Sequence, residues 1–231
     1  MVKKVGMLLL ATFIVALVAG CVQNEQTPNT PAPAGHGNGG GGMSVENMKQ
    51  LIYQVPAGEL SEAEKDGILH MREEEKLARD VYQTLYDKWG LQIFSNIAKS
   101  EQTHMDAVKL LIDKYGLEDP AEGKGVGEFT NPAFTELYNK LVAEGSKSTV
   151  DALKVGALIE EIDIVDLQKY LSETSKEDIK IVYENLMKGS RNHLRAFTSM
   201  LEKYGESYNP QYLSKEEYEQ IISSPMEKGL Q

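Results

Sequence analysis

Residues 100–105 read Ser-Glu-Gln-Thr-His-Met, in the middle of a run from Gln92 to Tyr115. That run has helical periodicity and no strand alternation. Its apolar stripe is Phe94, Ile97, Ala98, Met105, Val108, Leu111, Ile112 and Tyr115. Glu101 and His104 interrupt the stripe in phase with it. Three residues apart on a helix, they share a face and point into the core. A buried carboxylate without a partner costs several kcal/mol or takes up a proton. Something must therefore neutralise Glu101, and a Glu-x-x-His pair on an inward helix face is one way a bundle ligates a metal.

The same anomaly recurs on three flanking helices. The first core helix opens at Ser61 and Glu64, a capping-box signature, and runs to about Trp89, where Gly90 stops it. Its stripe, from Ile68 and Met71 to Tyr82 and Leu85, has Glu75 in phase. Glu73 and Glu74 fall further round and are expected in solvent. His70, one turn before Glu74, is expected at the rim. The third core helix covers about Val150 to Ser172 and places Glu160 and Asp163 on the stripe of Leu153, Ala157, Ile164 and Leu167. A second apolar stripe there, Val155, Leu158, Ile159 and Ile162, implies burial on two sides. Glu161 lies nearer the polar flank, so Glu160 is preferred over it. The fourth, from about Ser175 to Tyr204, has His193 in phase with Val182, Leu186 and Phe197, and Gly205 closes it.

The connections are short, long and short. The long one, Leu117 to Thr149, carries a short helix opened by Asn131-Pro132. That pattern predicts an all-α fold, a four-helix bundle with one long crossover between helices two and three. A further short helix, about Ser214 to Ile222, is expected on the outside. No solenoid repeat is visible.

One histidine on an apolar face is more often a hydrogen-bonded core residue than a ligand, and one glutamate is often an edge residue. The coincidence on four helices is what singles out a metal site. Its candidate ligands are Glu75, Glu101, His104, Glu160, Asp163 and His193. Four ionised carboxylates carry about −4, which two divalent ions would cancel in a low-dielectric core. Carboxylate and imidazole donors without thiolate suit iron, with manganese as the alternative.

The chain ends read differently. Residues 1–20 combine Lys3 and Lys4, an apolar run from Met7 to Val18, and small residues before Cys21, the single cysteine. This is a secretory signal resembling that of lipoproteins, in which Cys21 is acylated. One cysteine allows no intrachain disulfide. Residues 21–42, rich in Gly, Pro, Asn and Thr, read as a flexible linker, with His36 as part of the spacer. The helical domain is then 43–231, with a core at 60–205, expected outside the cell membrane on the lipid anchor. The net charge of −11 and the lack of a Lys/Arg cluster argue against nucleic acid as a partner.

These residues resemble the ferritin-like diiron carboxylate superfamily. Glu75, Ala78 and Tyr82 have the spacing of rubrerythrin-type first helices, and Glu101-Gln102-Thr103-His104 is the Glu-x-x-His. More narrowly, residues 73–82, 100–105, 159–164 and 189–197 are similar to the family called domain of unknown function 2202. The resemblance implies a ferritin-like bundle with two iron ions that react with a small oxidant, dioxygen or peroxide. Oxidation of ferrous iron or reduction of the oxidant would be the activity. The alternatives are a metal-binding module without turnover and a metal-free interaction domain. Without a Cys-x-x-Cys relay, any reductant comes from outside. A homodimer is compatible with the sequence.

One departure from the superfamily pattern stands out. Its fourth helix usually carries a second Glu-x-x-His, and here Ser190 takes the place of that Glu. Asp163 could supply the missing carboxylate as a ligand, or orient a histidine from behind the ligands. Tyr82 and Tyr183 either lie near the site or pack with a hydroxyl partner.

Overall fold

Ser61 starts the first long helix with a reciprocal capping box: its side chain accepts from the Glu64 N–H, and Glu64 accepts from the Ser61 N–H. The computed structural model describes residues 43–228. The signal segment, Cys21, the linker and His36 lie outside the described residues. Among the described residues all regular structure is helical: α1 (Val45–Gln54), α2 (Glu62–Trp89), α3 (Gln92–Tyr115), α4 (Pro132–Gly145), α5 (Thr149–Ser172), α6 (Glu177–Lys203) and α7 (Lys215–Ser223). Helices α2 and α3 end where Gly90 and Gly116 adopt left-handed backbone, φ 67° and 62°.

Helix α2 packs on α3, and α5 on α6; α2 also meets α5, and α3 meets α6. The shorter α4 lies against α2 and α5, α1 against α3 and α6, and α7 against α6. Close approach of α5 and α6 depends on Gly156, where a Cβ would come within 2.4 Å of the Phe197 ring.

The apolar core falls into two clusters. One contains Tyr82, Leu85, Phe94, Leu153 and Phe197; the other contains Met71, Val108, Leu111, Leu167 and Leu186. On α2, α3 and α6 the ligand-type residues sit between the segments that supply the two clusters. Glu75 separates Met71 from Leu77, Glu101 and His104 separate Ile97 from Ala107, and His193 separates Leu186 from Leu194.

Helix α1 was not expected from periodicity. It has two fully buried anchors, Met48 and Ile52. Lys114 on α3 closes its C-terminal end, donating to the carbonyls of Ile52 and Val55 at 2.7 and 2.8 Å.

The charged flank of α2 is also different from expectation. Glu73 and Glu74 are buried, not solvated. The reason for Glu73 is the crossover, which lies over this flank. Glu73 accepts from the N–H groups of Thr130 and Asn131, at 2.6 and 3.0 Å, at the entrance to α4. Arg72 holds Asp119 with two parallel hydrogen bonds of 3.0 and 2.9 Å. Lys76, 1 % exposed, donates to the Gly125 carbonyl and to Asp80. Asp80 in turn accepts from the Gly127 N–H. Likewise Glu161 is fully buried. It accepts from Tyr208 and from the N–H groups of Gln211, Tyr212 and Leu213, which fixes the chain leading into α7.

Candidate metal centre

Two triads of ligand-type atoms lie in the polar layer between the apolar clusters. The first is Glu75, Glu101 and His104; the second is Glu101, Glu160 and His193. Within each, one donor atom per residue lies within 4.8 Å of the others. Glu101 belongs to both. Its Oε2 is 2.7 Å from His104 Nδ1, and its Oε1 is 2.8 Å from His193 Nδ1. Glu75 Oε2 lies 3.2 Å from His104 Nδ1, and Glu160 Oε2 lies 3.3 Å from His193 Nδ1. All five side chains are buried, and they come from α2, α3, α5 and α6.

Asp163 stands beside these triads and belongs to neither. The hydroxyl of Ser190 donates to its Oδ2, and its Oδ1 is buried without a partner. Ser190 on α6 therefore holds a carboxylate that reaches in from α5. Between the two glutamates of α5, Glu160 joins the cluster and Glu161 anchors the segment before α7.

The surroundings orient the donors. The hydroxyl of Tyr82 donates to Glu160 Oε1 at 2.5 Å. His193 Nε2 is 3.0 Å from Ser100 Oγ, and its Nδ1 lies toward the carboxylates of Glu101 and Glu160. The His104 ring lies against Gly189, where a Cβ would be 2.4 Å from Cε1 and Nε2. Neither Ser100 nor Gly189 carries a signal that sequence pattern alone picks out. Tyr183 packs beside Tyr170 and takes no part in either triad.

Buried donors and acceptors normally have hydrogen-bond partners. Here Glu75 Oε1, Glu101 Oε1, Asp163 Oδ1 and His193 Nδ1 have none. Glu101 Oε1 and His193 Nδ1 are close, yet not aligned to bond each other. A cation among them would give these buried atoms the partner they lack. The donor set, oxygen and imidazole nitrogen, fits iron or manganese.

The electrostatics agree. Burial pushes the Glu75 carboxyl up to about 8, against the opposing pull of His104. Burial and the Glu101 charge push Glu160 up to about 7. Asp163 is raised by burial and then by Glu75 and Glu74. For Glu101, burial works upward, but His193 and His104 outweigh it and hold the carboxyl well below the usual range. Without a cation, protons fill its role in this layer.

A family model described as "Uncharacterized protein domain (DUF2202)" matches residues 64–225. The uncharacterized protein MJ0754 of Methanocaldococcus jannaschii is 63 % identical over 183 residues, 79 % of this chain and 99 % of that protein. The crystal structure of hypothetical protein MJ0754 from Methanococcus jannaschii matches with a TM-score of 0.74 and 65 % identity. It covers 75 % of this chain and 99 % of that one.

Proposed function

This chain belongs to the DUF2202 family, and from its geometry we propose a ferritin-like four-helix bundle that holds two iron ions, with manganese as the alternative, and oxidises ferrous iron or reduces peroxide or dioxygen. The observation that carries this reading is the set of buried, partnerless donor atoms from four helices around a shared Glu101.

Glu75, His104 and one oxygen of Glu101 would hold one ion; Glu160, His193 and the other oxygen of Glu101 would hold the second. Bound there as ferrous ions, the pair would supply electrons to an oxidant such as hydrogen peroxide or dioxygen. Tyr82 holds Glu160 and Ser100 holds the Nε2 side of the His193 ring, which leaves His193 Nδ1 and Glu160 Oε2 toward the shared Glu101. The apolar clusters on either side exclude bulk water, which strengthens each charge interaction in the layer. Burial raises the Glu75 and Glu160 carboxyls to about 8 and about 7, so a bound cation would compete with protons there and affinity should fall as the pH drops below that range.

The test of activity is direct. Protein loaded anaerobically with ferrous iron and then given peroxide or dioxygen should oxidise the iron much faster than the same iron in buffer. Oxidation no faster than in buffer would leave a metal-binding module without turnover.

Asp163→Asn keeps the shape and removes a charge. With Ser190 bound to Oδ2 and Oδ1 free, we expect Asp163 to balance charge and touch the cations through Oδ1. The variant should lose about one metal per chain, the loss expected of a removed carboxylate in a site balanced at about four negative charges. Retention of both metals with altered rate alone would reassign Asp163 to orienting its neighbours.

The proposal extends to location: cleavage after Gly20 and acylation of Cys21 would tether the domain outside the cell membrane. Among the described residues no helix is long and apolar enough to cross a membrane. Cys21→Ser should abolish lipid labelling; a labelled variant would refute the anchor.

A further inference from the structure

A second group of ligand-type side chains lies outside the centre just described. His70 and Glu74 on α2 face Asp166 on α5, with a donor atom of each within 4.8 Å of the others. His70 Nε2 is 3.1 Å from Asp166 Oδ2 and 3.4 Å from Glu74 Oε2. The group adjoins the core layer: Glu74 immediately precedes Glu75 on α2, and Asp166 follows Asp163 by three residues, about one turn, on α5. It is also nearer solvent, since the Asp166 side chain is 28 % exposed.

A plain ion pair does not account for this arrangement. The Nε2 position of an imidazole offers one N–H, which can point along one line. Directed at Asp166, it leaves Glu74 Oε2 without a donor, and that oxygen is buried and partnerless. Among the described residues, His70 is the only basic side chain within ion-pair distance of either carboxylate. A spherical cation, unlike a proton, can satisfy all three donors at once. Donor atoms bound at about 2.1 Å to one divalent ion stand about 3.0–3.4 Å apart, whether octahedral or tetrahedral. The separations of 3.1 and 3.4 Å fall in that range. The rings of Phe134 and Tyr170, 5.1 and 5.5 Å from that of His70, hold the imidazole in place.

We propose that His70, Glu74 and Asp166 form a third cation site, taking a divalent first-row transition ion with water completing its coordination. Its donors match those of each core triad, one imidazole and two carboxylates, but the Asp166 side chain is partly exposed, so water competes for the ion and the site fills last. Its existence does not depend on the core centre being loaded.

Anomalous diffraction from crystals of the protein soaked in manganese(II) tests the site by position. The proposal expects a peak within bonding distance of His70 Nε2, Glu74 and Asp166. In Asp166→Asn, altered at a partly exposed position, that peak should vanish while any core peaks stay. Core peaks with none at His70 would overturn the third site and leave the core reading standing. A peak at His70 alone would support the third site and count against the core centre. A crystal with neither, or a peak that survives Asp166→Asn, would also overturn the proposal.

Discussion

Glu101→Gln should empty both halves of the centre, and it is the single substitution with the largest expected effect on metal content. Glu101 gives one oxygen to each triad, so its loss removes a ligand from both at once. Metal content should fall from about two ions per chain to less than about half an ion. The metal-loaded protein should also lose its margin in melting temperature over the metal-free form, because bound ions stabilise the native state by mass action. Glu161→Gln is the matched comparison. It alters a buried glutamate that follows Glu160 in sequence but is turned to the 211–213 backbone, so stability should fall while metal content holds. Elemental analysis with thermal melts of both variants checks the pair. Equal metal loss in the two would mean that the triads do not define the site.

Asp80→Ala should be the most damaging change to stability outside the centre. Asp80 is fully buried and accepts from Lys76, Arg79 and the Gly127 N–H. Removing it leaves the Lys76 ammonium buried with only the Gly125 carbonyl and the face of Phe129, 4.5 Å from the ring centroid. Breaking a buried ion pair by deleting one partner costs about 3–5 kcal/mol. Denaturant unfolding of the variant measures this. A loss below about 1 kcal/mol, as for an exposed pair, would show that this contact does not hold the crossover down.

These two residues also mark what the sequence does and does not disclose. Glu101 and His104 were legible because their neighbours on the stripe are three or four residues away, and helix geometry alone puts them on the buried face. The ends of α2 and α3 were legible for the same reason: Ser61 with Glu64, Gly90 and Gly116 act within one turn. Glu73 read as solvated, and Lys76 and Asp80 carried no signal, because their partners lie 47 to 58 residues away in the crossover. A helical wheel gives an angle and says nothing about what covers that angle from elsewhere in the chain. Glu161 was set on the polar flank by the same limit, since its partners are 47 to 52 residues downstream. Helix α1, with two buried anchors, is too short for periodicity to register. Gly189 reads as an ordinary small residue until the His104 ring is seen against it.

The ferritin-like reading joins these parts. A layer of carboxylates and imidazoles between two apolar clusters is costly unless cations neutralise it, and four helices converge on it from short and long connections as such a bundle requires. The Glu73, Lys76 and Asp80 contacts secure the crossover that the arrangement needs.

The most direct test is the metal content of the purified chain, measured with its melting temperature before and after chelation. The account predicts about two ions per chain, iron or manganese, and a clear fall in melting temperature once they are removed. A folded protein that carries no metal, takes up none when offered ferrous iron, and melts at the same temperature with and without chelator would contradict it.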